Sequence, residues 1–291
     1  MSDMGSTVPR RQVGRLMRQL REQAGVSLMA AAEELEFSRA RMYRIENGEV
    51  PVRKHDVIAM CTVYRATGSM TEVLVGLAQE SKAKGWWHAY GDVVPAWFEL
   101  YVGMEQAASR LRSFAPSVIP GLLQTRAYAE WVFGKWIGAD AAAVDNAVAV
   151  RLERQSLLSR NRPEAPKLDV IIDEGVLRRA IPDTGGMQIQ LTHLLDVATP
   201  PNVSVRVIPF AAGPHKAASS GQFTILEFPA LRTASPEPTT IYCENLTGAL
   251  YLDKLSEVET YESIWLELEA TALSPAESDD LIGAIIKESD G

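Results

Sequence analysis

Between Ser27 and Gly48 two short apolar patterns follow each other with only Glu36 and Phe37 between the end of the first and the start of the second. No other feature restricts the fold so tightly. Leu28, Ala31, Ala32 and Leu35 recur at the i, i+3, i+4, i+7 spacing of one helical face, and the Ser27 hydroxyl can cap the first turn. Ser38 can cap the next helix, where Met42 and Ile45 share an inward face and Arg39, Ala40, Tyr43 and Arg44 fall on others, until Gly48 stops it. Three more stripes flank this pair. Val13, Leu16, Met17 and Leu20 lead to Gly25, a residue suited to a left-handed cap; Val57, Ile58, Cys61 and Tyr64 make a fourth helix; Met70, Val73, Leu74 and Leu77 make a fifth after Gly68 and Ser69. The pattern predicts an all-α, five-helix N-terminal domain.

Charge is divided along the chain. Residues 1–70 carry a net +3 and the remaining 221 a net −11, for −8 overall. Within residues 38–54 five basic side chains (Arg39, Arg41, Arg44, Arg53, Lys54) face only two acidic ones (Glu46, Glu49). Charges farther apart than roughly 8 Å are screened at about 0.15 M salt, so the local basic field, not the acidic total, decides whether a polyanion can dock. A tight helix pair whose second member exposes arginines near its start is the arrangement that lays a recognition helix in the major groove of DNA.

Arg21, four residues before Gly25, and Glu46, in the Glu-Asn-Gly that ends the third helix, carry a resemblance to the lambda-repressor-like, or xenobiotic-response-element (XRE), helix-turn-helix family. The resemblance implies that Arg21 and Glu46 form a structural ion pair joining the first helix to the recognition helix. It implies that Arg39, Ala40 and Arg44 read base edges, while Ser27, Leu28, Ser38, Arg41, Tyr43, Asn47, Arg53 and Lys54 lie along the phosphate backbone. An arginine fork matches O6 and N7 of guanine, and each good bidentate pair discriminates by about 1–3 kcal/mol. Ala40 can meet only a thymine methyl. Two positions depart from the family pattern: Glu36 stands in the turn where glycine is common, and Leu28 replaces the usual glutamine. Specific binding must exceed non-specific binding by roughly 4–10 kcal/mol, more than one helix with about two arginine contacts supplies, so a homodimer on a double-stranded operator is expected.

With 46% hydrophobic residues among 291, the chain has material for a second core. The expected domains are 1–80, a connector over 81–97 with Trp86 and Trp87 as packing anchors, and an α+β domain over 98–291. Glu105–Phe114 reads as amphipathic and residues 116–124 as a loop; Thr125 caps a helix through Trp136, and another spans Ala141–Arg160. Strands are expected at Leu168–Ile172, Val203–Ile208, Phe223–Phe228 and Thr240–Glu244, with helices near Glu174–Ala180 and Gln188–Val197. Leu255, Val258, Tyr261, Trp265 and Leu268 form a stripe that serves either a core or a dimer seam, and Ser274-Pro275 begins a last helix.

The runs PGLLQT, RLERQSLLSR, DEGVLRR, QLTHLL and VIPF, in that order, are similar to a group of actinobacterial regulators in which this helix-turn-helix precedes a large antitoxin-like domain of unassigned function, the WhiJ-like type. That resemblance implies a transcriptional repressor controlled by a small partner protein encoded nearby, as in pairs with a BldB-like partner. Two alternatives stay open: an antitoxin-like scaffold that sequesters the partner, and a regulator that senses a metabolite.

An enzyme is not expected. His55, His88, His193 and His215 stand singly, and no GxSxG or P-loop run occurs. Cys61 and Cys243 lie far apart with no CxxC spacing, so both are expected to be buried thiols and no metal or cofactor site is anticipated. The loop with His215, Lys216, Ser219 and Ser220 could receive a partner or ligand, or hold a Ser-Lys dyad for self-cleavage, but reads most simply as a turn. Asp173 and Glu174 start a helix, where carboxylates are favoured. No bilayer-length apolar run is present, and a cytoplasmic location is expected.

Overall fold

The computed structural model describes residues 7–80, 96–137, 140–181, 185–199, 201–229, 237–245 and 248–288. The connector tryptophans Trp86 and Trp87 lie outside the described residues. The chain divides into two units. One holds the chain to residue 80 together with Leu100–Ala107 and Glu237, and the other holds Ala108–Phe228 and the chain from Pro238 onward.

The first unit contains five helices in sequence: α1 (Thr7–Gln23), α2 (Leu28–Glu34), α3 (Arg39–Glu46), α4 (Lys54–Val63) and α5 (Gly68–Glu80). Their inward residues make one core, in which Val13, Met17, Ala31, Met42, Ile45, Val57, Met60, Cys61 and Leu74 are buried; Ile58, expected on the inner stripe, is instead 42% exposed, because the buried face of α4 runs through Val57, Met60, Cys61 and Tyr64. α1 ends where Gly25 turns to φ +68°. There the Gly25 and Val26 N–H groups donate to the carbonyls of Glu22 and Arg21, satisfying groups the helix end would leave bare. Glu237 adds a buried carboxylate, held by Arg15 and approached by Arg11 Nε at 3.5 Å.

The second unit is a six-stranded mixed sheet of order β3-β2-β1-β4-β5-β6 with helices, an α+β arrangement. β1 (Arg110–Ala115), β2 (Lys167–Asp173) and β3 (Val203–Ile208) are parallel; β4 (Phe223–Glu227), β5 (Thr240–Asn245) and β6 (Gly248–Leu252) continue antiparallel. The register sets Phe114 beside Ile171 and Phe223, and their side chains join Ile225, Ile241 and Cys243 in one apolar layer. That layer is covered by α11 (Leu255–Thr271) through Trp265 and Leu268. Most of the C-terminal stripe is therefore core, with the exception of Leu255, which is 74% exposed.

Between α6 (Ala96–Ala107) and β1 the structure corrects the sequence reading. Glu105–Phe114 is not one amphipathic element, since the helix stops at Ala107 and a central strand begins at Arg110. Pairing on both sides of β1 buries Leu111, Arg112, Ser113 and Phe114, so its apolar period is neither helical nor alternating. Arg112 tolerates burial because Glu227 and Glu262 hold its guanidinium. The expected helix at Ala141–Arg160 is α8 (Ala141–Gln155) followed by a 3₁₀ turn, Ser156–Ser159, and that at Glu174–Ala180 is a single turn, α9 (Glu174–Leu177).

Three of the motif runs meet at one point. The Gln124 amide donates to the Ile119 carbonyl at 2.6 Å and its oxygen accepts from Arg151 at 2.7 Å. Gln155 donates to the Gln124 carbonyl at 2.6 Å, while Gln190 donates to the Leu123 carbonyl and accepts from the Thr125 N–H. These contacts fasten PGLLQT between α7 (Arg126–Ile137), α8 and α10 (Gly186–Val197). Buried backbone groups in a loop must find partners, and the long amides supply them.

Candidate nucleic-acid interface

Both helices of the tight pair are started by serine caps. The Ser27 and Ser38 hydroxyl oxygens accept from the Ala30 and Arg41 N–H groups, each at 3.1 Å. Between them the chain reverses at Glu36, whose φ is +54°, and the Phe37 N–H donates to the Ala32 carbonyl at 2.8 Å. A non-glycine in this left-handed conformation bears about 1–2 kcal/mol of strain, so Glu36 occupies a glycine's geometry at a cost the rest of the unit offsets.

α3 is held from behind by close backbone contact. Any Cβ on Gly14 of α1 would lie 2.6 Å from the Ile45 carbonyl oxygen and 2.7 Å from that of Glu46, and one on Gly48 would lie 2.6 Å from the Arg11 Cα. Only glycine permits α1 to approach the end of α3 in this way. The same junction carries the Arg21–Glu46 pair: Arg21 Nε donates to Glu46 Oε1 at 2.6 Å and Nη2 to Oε2 at 2.9 Å, while Nη1 donates to the Val26 carbonyl at 2.9 Å. Exposure of the two residues is 8% and 5%. The bond to Glu46 raises the Arg21 pKa further above its ordinary value, and burial raises that of the neighbouring Tyr64 hydroxyl.

With its inner face so fixed, α3 presents Arg39, Ala40, Tyr43, Arg44 and, at its end, Asn47 to solvent. The Arg39 and Arg44 side chains make no hydrogen bond or ion pair among the described residues. Five residues of helix separate them by about 7.5 Å along the axis. At the start of α4, Arg53 and Lys54 are also exposed, and Arg53 makes no side-chain cap there.

Other residues of the expected surface are occupied differently. Arg41 donates to Asp56 Oδ2 at 2.6 Å, and its guanidinium carbon lies 3.8 Å from the centre of the Phe37 ring. It ties α3 to α4, and Asp56 was not singled out by the sequence reading because only the fold brings it to Arg41. Leu28 is half-buried against the core and has no donor, so its side chain cannot bind phosphate. Asn47 donates to Glu49 Oε1 at 3.2 Å.

In the second unit the loop residues form a closed turn. Lys216 Nζ lies 3.2 Å from Glu267 Oε2, its N–H donates to Glu267 Oε1, and this lowers the Glu267 pKa. The Ser219 and Ser220 hydroxyls donate to the carbonyls of Lys216 and Ala217, and the His215 ring meets Phe114 edge-on at 5.8 Å. Asp173 caps α9 through the Gly175 N–H, and Glu174 accepts from Arg178 and from the Phe210 N–H. Both cysteines are buried thiols. Among the described residues no cluster of His, Cys, Asp and Glu could hold a metal ion, and no helix is long and apolar enough to cross a membrane.

Two capped helices joined by a three-residue reversal, with two solvent-facing, uncommitted arginines on the second, define a helix-turn-helix domain. Residues 12–74 match a helix-turn-helix domain family, which supports a DNA-binding regulator. Residues 98–284 match the family described as domain of unknown function (DUF5753), and the chain belongs to that family. No curated protein and no solved structure matches the chain.

Proposed function

We propose that the protein is a sequence-specific transcriptional repressor that binds its operator as a dimer, with Arg39, Ala40 and Arg44 reading base edges and the domain over 98–291 serving dimerisation and control by a small partner protein. One observation carries the base-reading assignment. Of the arginines near the helix pair, Arg21 and Arg41 are spent on Glu46 and Asp56, whereas Arg39 and Arg44 point outward with no internal bond among the described residues. A guanidinium so placed offers its full fork to guanine O6 and N7. Lys54, Arg53 and the outward serines stand beside it as phosphate contacts. Control by a partner is supported by the resemblance to WhiJ-like regulators, and co-purification with a stoichiometric small protein would test it.

Selection of bound fragments from random duplex, followed by affinity titration, tests the DNA reading. Arg39→Ala and Arg44→Ala are each expected to lose about 1–3 kcal/mol on the selected site and to relax preference at a guanine. Lys54→Ala should weaken all duplexes alike and reduce the salt slope by about one phosphate's worth. Unchanged base preference in both arginine variants overturns the assignment.

A further inference from the structure

Ala40 lies along the outermost line of α3. The buried residues of this helix are Met42, Ile45 and Glu46, and at about 100° per residue the direction opposite their mean falls within about 15° of Ala40. Tyr43 lies about 60° to one side of Ala40 and Arg44 about 40° to the other. The outer face thus carries its smallest side chain at the crest, with an aromatic ring on one flank and a guanidinium on the other. Tyr43 is 57% exposed, the one exposed large apolar side chain of α3. Its hydroxyl makes no hydrogen bond among the described residues. Beside the Ala40 methyl, at the i, i+3 spacing where helical side chains touch, the ring makes an apolar patch on an otherwise basic face.

We propose that Tyr43 and Ala40 form a methyl-sized notch that reads the C5 methyl of a pyrimidine in the major groove, a role that rests on the proposed operator binding. It moves Tyr43 from the phosphate backbone, where the family resemblance sets it, to the base edges. The C5 methyl is the apolar group that base edges present in the major groove, so it is the feature an apolar notch can recognise there. Phosphate is better served by the exposed cations Arg53 and Lys54 at the start of α4 than by a phenol, whose ring would stay in water. Arginines adjoin the notch on both sides: Arg44 stands beside Ala40, and Arg39 precedes Tyr43 by four residues on the same flank. The methyl therefore belongs next to the guanines that the two forks would bond. Thymine and 5-methylcytosine both carry it.

Selection of bound fragments from random duplex by the full chain supplies the probe. Each thymine of the selected site is then replaced in turn by uracil, which lacks the methyl and keeps every hydrogen-bonding group, and each cytosine by 5-methylcytosine. At one position per half-site the methyl should tighten binding about fourfold, the factor that burying one such group gives. Weaker binding on uracil identifies thymine as the source, and tighter binding on 5-methylcytosine identifies the methylated base. Tyr43→Ala should erase the methyl effect and leave guanine preference intact. Tyr43→Phe should keep both the methyl effect and the affinity, which a hydroxyl bonded to phosphate would not allow. Tyr43 is exposed, so both variants should retain the circular dichroism of the parent. A site indifferent to the methyl at every position, a methyl effect that survives Tyr43→Ala, or an equal loss of affinity in Tyr43→Phe and Tyr43→Ala each overturns the proposal. The two readings fail separately: guanine preference without any methyl effect refutes only the role of Tyr43, whereas no preference among duplexes refutes the operator binding beneath it.

Discussion

Removing Glu46 should loosen the first unit far more than losing one surface ion pair would. Its carboxylate accepts both bonds from Arg21, at 2.6 and 2.9 Å, inside a junction where Gly14 brings the α1 backbone against the end of α3. Glu46→Ala leaves a permanently charged guanidinium at 8% exposure with the Val26 carbonyl and the exposed Glu22 carboxylate, 3.6 Å away, as its remaining partners. Breaking such a buried pair costs about 3–5 kcal/mol, against at most about 1 for an exposed one. At 1.36 kcal/mol per decade, amides in α1 and α3 that exchange by opening of the unit should do so roughly two to three and a half decades faster. Hydrogen exchange by mass spectrometry is the suitable assay, because it reads peptides of this unit apart from the second. Replacing both partners with apolar residues, Arg21→Met with Glu46→Leu, should recover most of the loss, since no charge then remains unpaired. A Glu46→Ala chain whose α1 and α3 amides exchange within a factor of about five of the parent, near 1 kcal/mol, would refute the reasoning.

Other outcomes follow from the same geometry. Gly14→Ala should cost about 1–3 kcal/mol by forcing α1 from the Ile45 and Glu46 carbonyls, seen as faster exchange in α3 and weaker DNA binding. Ser38→Ala, which removes the cap on α3, should cost about 1 kcal/mol in the same exchange assay without shifting base preference. Gln190→Leu strands the Leu123 carbonyl and Thr125 N–H and should lower the thermal midpoint of the second unit by an amount equivalent to about 1–3 kcal/mol. Burial, with the bond to Cys243 behind it, pushes the Tyr261 pKa up from 10.0 to about 12. The folded state therefore prefers the neutral phenol. Its contribution is complete below pH 10 and is lost as pH climbs toward 12, so tyrosinate absorbance should show a late component, shared with Tyr64 and Tyr128, that Tyr261→Phe diminishes by one tyrosine.

Legibility followed the range of the interactions. The helix pair could be read because caps, left-handed stops and a 3.6-residue period are written within a few residues of one another: Ser27, Ser38, Gly25 and Gly48 each mark an end that the backbone then takes. The strand β1 escaped notice because a central strand is buried on both faces, and its arginines look like helix surface until Glu227 and Glu262 arrive from elsewhere in the chain. β6 escaped because it is five residues long and follows β5 almost at once.

At the interface, sequence alone settled that a basic, solvent-facing helix follows a tight reversal. It could not say which arginines stay outward. Arg39, Arg41 and Arg44 are the same residue within six positions, and only the packing of α4 against α3, which carries Asp56 to within 2.6 Å of Arg41, turns one into a brace and leaves two facing solvent. The need for glycine at position 14 is likewise invisible locally, because it arises from a carbonyl more than thirty residues away. Short-range hydrogen bonding and periodicity are properties of neighbouring residues, whereas the availability of a charged group depends on what the folded chain places beside it.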